Sequence, residues 1–154
     1  IDDMINMLKQ LAGRDIELIW LPGKDVDAVL VDPAHITQIL TNLCVNARDA
    51  ITVPGKITIA TNKVTLNEVR HARYGDMQPG SYVRLAVSDT GCGMNANTLS
   101  HLFEPFFTTK AVGKGTGLGL ATIYGVIKQN EGFIDVSSGL KKGTTFEVFF
   151  ATHG

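Results

Sequence analysis

The succession of helical and extended patterns in this chain predicts an α/β domain, with a sheet packed against about three helices. Helical patterns occupy 33–50, 95–102 and 117–130, and a further apolar stripe stands at 1–11. The segments between them read as strands, with alternating or β-branched and aromatic residues closed off by Gly and Pro. The 154 residues, 44% apolar and 19% charged, suffice for one domain with a substantial core and are too apolar for disorder.

The elements follow in order. Ile1, Met4, Ile5, Leu8 and Leu11 form the first helical stripe, which Gly13 ends. Residues 16–21 and 26–31 read as two strands joined at Pro22-Gly23, an expected hairpin. Asp32 then caps a helix with Pro33 at its first position. Ile36, Ile39, Leu40, Leu43, Ala47 and Ala50 form its apolar face. Residues 56–64 read as a strand. Residues 67–79 read as a polar loop, in which Arg70, His71 and Arg73 suggest a solvated insertion rather than a charge patch. Residues 81–88 are the central strand and 95–102 a short helix. Leu118, Ala121, Ile123, Val126 and Ile127 supply the buried side of the last helix. Residues 132–138 and 144–150 are the final strands, with 139–143 as their turn.

Charge and composition exclude several functions. Fourteen basic and 15 acidic residues give a net charge of −1, which offers no electrostatic footing for nucleic acid or an anionic membrane. Cys44 and Cys92 form no C-x-x-C pair, the usage of a reduced, cytoplasmic protein. His35, His71, His101 and His153 show no metal-binding spacing. The sequence contains no apolar run of about 18 residues and opens on no signal peptide. It starts at Ile1, inside a helical pattern and without an initiator Met, as an excised piece of a longer protein would.

Four segments carry chemistry. The central strand ends in Asp89-Thr90-Gly91-Cys92-Gly93-Met94. A carboxylate beside two glycines gives an acceptor next to backbone that a flat ligand can approach, and an exocyclic amine such as adenine N6 would supply the donor. A hairpin turn would explain the same residues. A dinucleotide fingerprint fits less well, because no strand ending in an acid follows. On the second helix Asn42 and Asn46 project from one side, one turn apart. They suit either a polar surface or oxygen ligation of Mg²⁺, and the pair favours the cation. Phe103, Phe106 and Phe107 around Pro105 are either a core plug or a hinge for the small, Gly-rich, basic lid of 111–116. Gly113-Lys114-Gly115-Thr116-Gly117-Leu118-Gly119-Leu120 opens a helix whose free N–H groups suit phosphate. It is not a Walker A loop.

Together these segments resemble the boxes of bacterial sensor histidine kinases, in the family's order. Residues 42–50 are similar to the N box, 89–94 to the first glycine box, 102–110 to the F box, 115–120 to the second glycine box, and Gly143-Thr144-Thr145-Phe146 to the closing strand signature. The wording is most similar to nitrogen-regulator and PAS-linked kinases. The resemblance implies the two-layer α/β sandwich of the gyrase, heat-shock chaperone, histidine kinase and mismatch-repair superfamily, a mixed sheet against helices that hold ATP under a lid. It implies residues 13–154 as a catalytic and ATP-binding domain, and 1–12 as the end of a link from an absent dimerisation domain.

The resemblance also implies roles. Asp89 would accept the adenine amine, with Thr144 assisting through water, while Gly91 and Gly93 let the purine lie close and Met94 lines the site. Asn46, helped by Asn42, would hold Mg²⁺. Gly115, Thr116, Gly117, Leu118, Gly119 and Leu120 would cradle the phosphates, with Lys110 or Lys114 reaching them as point charges. Phe103 and Thr109 belong to the same site, as do Arg48 and Asp49. Many relatives carry a base at the Asp49 position. Here the base is Arg48, about 100° away around the helix. ATPase relatives place a water-activating glutamate at the Asn42 position, so its replacement favours phosphoryl transfer over hydrolysis. The expected acceptor is a histidine on the dimerisation domain, since the four histidines here lack its sequence setting. A response-regulator receiver domain would take the phosphoryl group next. The parent is expected to be a homodimer and this piece a monomer, without membrane or nucleic-acid contact. Other kinases of the same fold, or a pseudokinase that only binds, are the competing readings.

Overall fold

The structure is a computed structural model that describes residues 4–13, 15–23, 33–51, 55–72, 75–91, 93, 119–139 and 143–151. In chain order these form α1 (Ile5–Ala12), β1 (Ile16–Leu21), α2 (Pro33–Ala50), β2 (Gly55–Leu66), β3 (Arg70–Ala72), β4 (Gly75–Met77), β5 (Gly80–Asp89), α3 (Gly119–Gln129), β6 (Phe133–Ser138) and β7 (Thr144–Ala151). Five strands build one sheet in the order β1-β2-β5-β7-β6, and β3 and β4 form a separate two-stranded hairpin. The main sheet is mixed, because β1 runs parallel to β2 while the other neighbours are antiparallel.

Alternation along the strands sorts the side chains to two faces. Leu18, Ile57, Ile59, Leu85, Val87, Val136, Phe146 and Val148 point to one side. There they meet Ile39, Leu40, Leu43, Cys44 and Ala47 of α2, and Ile123 and Ile127 of α3. Ile5, Leu8 and Ala12 of α1 enter the same core, so this helix packs on the domain rather than standing away from it. Burial pushes the Cys44 thiol up to about 11, which keeps it protonated and inert. α1 starts at Ile5 and stops at Gly13, which takes φ +93° and donates its N–H to the Lys9 carbonyl.

One expectation changes. Residues 67–79 are not a solvated loop throughout. Arg70 opens β3, and its guanidinium lies 5.0 Å above the Phe149 ring, with a hydrogen bond to Asp135 at 3.3 Å and an ion pair to Glu147 at 3.7 Å. Met77 of β4 is fully buried with Tyr82 and Phe149 in a small second core on the outer face of the sheet. The hairpin therefore caps that face, while residues 67–69, 71, 76, 78 and 79 are exposed as expected, with His71 and Asp76 paired at 3.0 Å. The expected strand at 26–31, and with it the expected hairpin, lies outside the described residues; β1 pairs in parallel with β2. The expected helix at 95–102 and the Asp32 cap also lie outside them.

Candidate functional site

One rung crosses all five strands: Leu18, Ile57, Asp89, Thr144 and Ser138 are successive register partners. Parity puts all five on the helix-facing side of the sheet. The rung is apolar on β1 and β2 and turns polar on β5, β7 and β6. Among the described residues, Asp89 and Thr144 are the two buried polar or charged side chains, at 8% and 6% exposure. A buried carboxylate needs donors. Asp89 Oδ1 accepts the Gly91 N–H at 2.8 Å, and the Thr144 backbone N–H also donates to the carboxylate. Desolvation outweighs these two bonds and pushes the Asp89 carboxyl above its ordinary value. Two backbone donors leave an ionised carboxylate with spare acceptor capacity.

The neighbouring backbone is built to hold that carboxylate. Thr90 donates its N–H to the Lys56 carbonyl at 3.2 Å and accepts the Lys56 N–H on Oγ1 at 3.0 Å. This side-chain bond carries the β2–β5 ladder one residue past Asp89. Gly143 sits at φ +78°, and a Cβ there would lie 2.1 Å from the Asp89 carbonyl oxygen. Gly93 sits at φ +73°, where a Cβ would lie 1.9 Å from the Gly139 carbonyl oxygen. The glycine at 93 is thus demanded first by the backbone of the β6–β7 turn, a reason distinct from the expected approach of a purine. The Ser138 hydroxyl donates to the Gly143 carbonyl at 2.9 Å and lies 2.8 Å from Thr144 Oγ1.

The second part of the site is α2. His35 Nδ1 lies 3.1 Å from Asn130 Nδ2, which also donates to the Val126 carbonyl at 2.8 Å. The start of α2 therefore lies beside the end of α3. Asn46 is eleven residues up α2 from that contact, and Gly119 eleven residues back along α3, each about 16 Å away by helical rise. Helical phase puts half-buried Asn42 and Asn46 on the same flank as His35, facing α3. Arg48 is about 160° around the helix from Asn46. Its Nη1 donates to the Leu11 carbonyl at the end of α1 at 3.2 Å, and its Nε lies 3.5 Å from Asp49. Thr37, close to Arg48 in phase, donates to Met4 Sδ on the same side at 3.5 Å. The structure thus brings Asn42 and Asn46 toward α3 and commits Arg48 to α1.

A family model described as histidine kinase-, DNA gyrase B- and HSP90-like ATPase matches residues 31–153. The chain belongs to that family. A sensor kinase CckA of Brucella abortus is 46% identical over 147 residues, covering 96% of this chain and 16% of that protein. A sensor histidine kinase ZraS of Escherichia coli is 33% identical over 154 residues, covering 97% of this chain and 30% of its own length. The chain therefore spans less than a third of these curated relatives. Among solved structures, a mycobacterial sensor histidine kinase MprB matches with TM-score 0.74 at 18% identity, covering 97% of this chain and 91% of that one, a likeness of fold. Full-length ShkA in complex with AMPPNP matches with TM-score 0.70 at 26% identity, covering 99% of this chain and 31% of that one.

Of the expected site residues, the structure describes Asp89, Gly91, Gly93 and Thr144 at the sheet end, and Asn42 and Asn46 on α2. Gly119 and Leu120 open α3, where the helix dipole favours an anion. Met94, Phe103, Thr109, Lys110, Lys114, Gly115, Thr116, Gly117 and Leu118 lie outside the described residues. The sequence reading passed over Ser138 and Thr90. Ser138 was within reach of it, since a hairpin over 132–150 with its turn at 139–143 sets Ser138 opposite Thr144. No helix among the described residues is long and apolar enough to cross a membrane.

Proposed function

We propose that this chain is the ATP-binding catalytic domain of a sensor histidine kinase. It would transfer the γ-phosphoryl group of ATP to a histidine on a separate dimerisation domain, for relay to a response regulator. One observation carries the reading: Asp89 is a buried carboxylate whose partners among the described residues are two backbone N–H groups, set in a rung that faces the helices. The family membership and the sensor-kinase relatives support it, as does the nucleotide analogue held by full-length ShkA.

In this reading Asp89 accepts the adenine amine, and Thr90, Gly91 and Gly143 hold the carboxylate in place. Asn46 and Asn42 present two amide oxygens one turn apart on the flank of α2 that faces α3, a donor set that suits a hard cation keeping most of its waters. Mg²⁺ bound there supplies charge neutralisation for the phosphates. The N-terminus of α3, at Gly119, offers N–H groups to the same phosphates. Arg48 has no part in this set, being bonded to α1. Asn42 carries no charge to activate water, which favours transfer over hydrolysis. Phosphoryl transfer asks mainly for positioning and charge stabilisation, and these residues supply both on the nucleotide side.

Calorimetric titration of Mg²⁺-ATP into the chain, beside Asp89→Asn, tests the reading. Removing one charge-assisted bond costs about 1.5–3 kcal/mol, so the variant should bind about one to two decades more weakly. Wild-type chain that is folded and binds no ATP would overturn the proposal.

A further inference from the structure

We propose that Ser138 is a positioning residue that fixes the Thr144 hydroxyl as an acceptor toward the nucleobase, so that the rung reads an exocyclic amine with two acceptors. The argument is one of counting protons. The Ser138 hydroxyl has one, and it lies 2.9 Å from the Gly143 carbonyl, an oxygen that can only accept. The same hydroxyl lies 2.8 Å from Thr144 Oγ1. With the serine proton committed to Gly143, the proton in the second bond comes from Thr144. Thr144 Oγ1 is then left with lone pairs.

Its register partner Asp89 accepts as well, and both side chains face the helices from a rung that is otherwise apolar on β1 and β2. An amine at purine C6 meets two acceptors there. A carbonyl oxygen at C6 meets the same two and is repelled. Gly143 ties the device together: its carbonyl takes the serine proton, while its Cα packs against the Asp89 carbonyl, where a Cβ would come within 2.1 Å. The turn that brings Ser138 to Thr144 thus also sets the carboxylate.

The inference rests on the proposed ATP site and adds a discriminating residue to it. The test titrates Mg²⁺-ATP and Mg²⁺-ITP, which differ at C6 and N1, into the wild-type chain and into Ser138→Ala, Ser138→Thr and Thr144→Val, with a thermal melt of each. Wild type is expected to prefer ATP. In Ser138→Ala the Thr144 proton is released and can turn outward to the C6 oxygen, so the ITP-to-ATP ratio of Kd falls roughly three- to tenfold, the range of one neutral hydrogen bond. Ser138→Thr keeps the hydroxyl and restores the wild-type ratio. In a Thr144→Val background, adding Ser138→Ala leaves the ratio unmoved. Ser138→Cys keeps the size, weakens the bond and shifts the ratio the same way, serving if the alanine variant does not fold. ATP and ITP weakened in parallel, or a ratio that stays at the wild-type value, would overturn the inference while leaving the ATP site standing. A wild-type chain that binds neither nucleotide would overturn the site reading and this inference with it.

Discussion

Two polar clusters sit on the same strands, β5, β7 and β6, and they are built in opposite ways. On the outer face, Arg84 Nε meets Glu147 at 2.5 Å and its Nη1 meets Asn62 at 3.2 Å, while Arg70 bridges Asp135 and Glu147. Two cations face two anions, an aromatic ring backs one of them, and the charges cancel. On the inner face, the Asp89 carboxylate is held by backbone N–H groups, with no cation among the bonds it makes to the described residues. The first arrangement is closed and pins the β3–β4 hairpin to the sheet. The second is open, at an energetic cost that shows as the raised carboxyl. A cluster whose charges are paired holds a fold together, whereas a buried charge left with spare acceptors marks a place for a ligand.

Substitutions separate the two. Gly143→Ala should have the largest effect, because it adds a Cβ 2.1 Å from the Asp89 carbonyl at a residue with φ +78°. A loss of about 2–4 kcal/mol is expected, with weaker ATP binding, measured by chemical denaturation and calorimetry. Arg84→Met should cost about 1.5–3 kcal/mol, the worth of a hydrogen bond between charged groups, since its side chain is 26% exposed and Glu147 only 15%. Its ATP affinity should stay at the wild-type value. Arg48→Ala should cost about 0.5–1.5 kcal/mol by releasing the Leu11 carbonyl, again with ATP affinity unchanged. A tenfold loss of affinity there would return Arg48 to the phosphate site.

The smallest effect is in pH. Asp89 keeps its proton to a higher pH in the folded chain than in the unfolded chain, whose value is near 3.8. Between the two values the folded state binds more protons, so this group's contribution to stability falls as pH rises through that window. Asp89→Asn should remove that component of the slope in denaturation curves taken across the acid range.

Much of this was legible in the sequence where structure follows local pattern. β1 and β5 came out within a residue, and α2 from Pro33 to Ala50, because strand alternation, a proline at the first helical position and helical spacing are short-range signals. The β3–β4 hairpin was missed for the opposite reason. Arg70 is a polar residue in a polar stretch, and what makes it structural is Asp135, 65 residues away. Arg48 was half legible: its phase relative to Asp49 already set it off the expected position, and the Leu11 carbonyl at the end of α1 shows where it goes. Gly93 was read as room for a purine, and the close approach of the Gly139 carbonyl adds a second reason for glycine there. Asp89 itself was read from an acid at a strand end beside glycines, and burial adds the reason it matters.

The most direct test sets the two clusters against each other. Asp89→Asn and Arg84→Met are each melted without nucleotide and titrated with Mg²⁺-ATP. Asp89→Asn is expected to lose about one to two decades of affinity, the worth of one charge-assisted bond, and Arg84→Met is expected to lose stability and keep its affinity. Arg84→Met losing affinity as much as Asp89→Asn does, or Asp89→Asn binding ATP as wild type does, would contradict the division between the closed cluster and the open one.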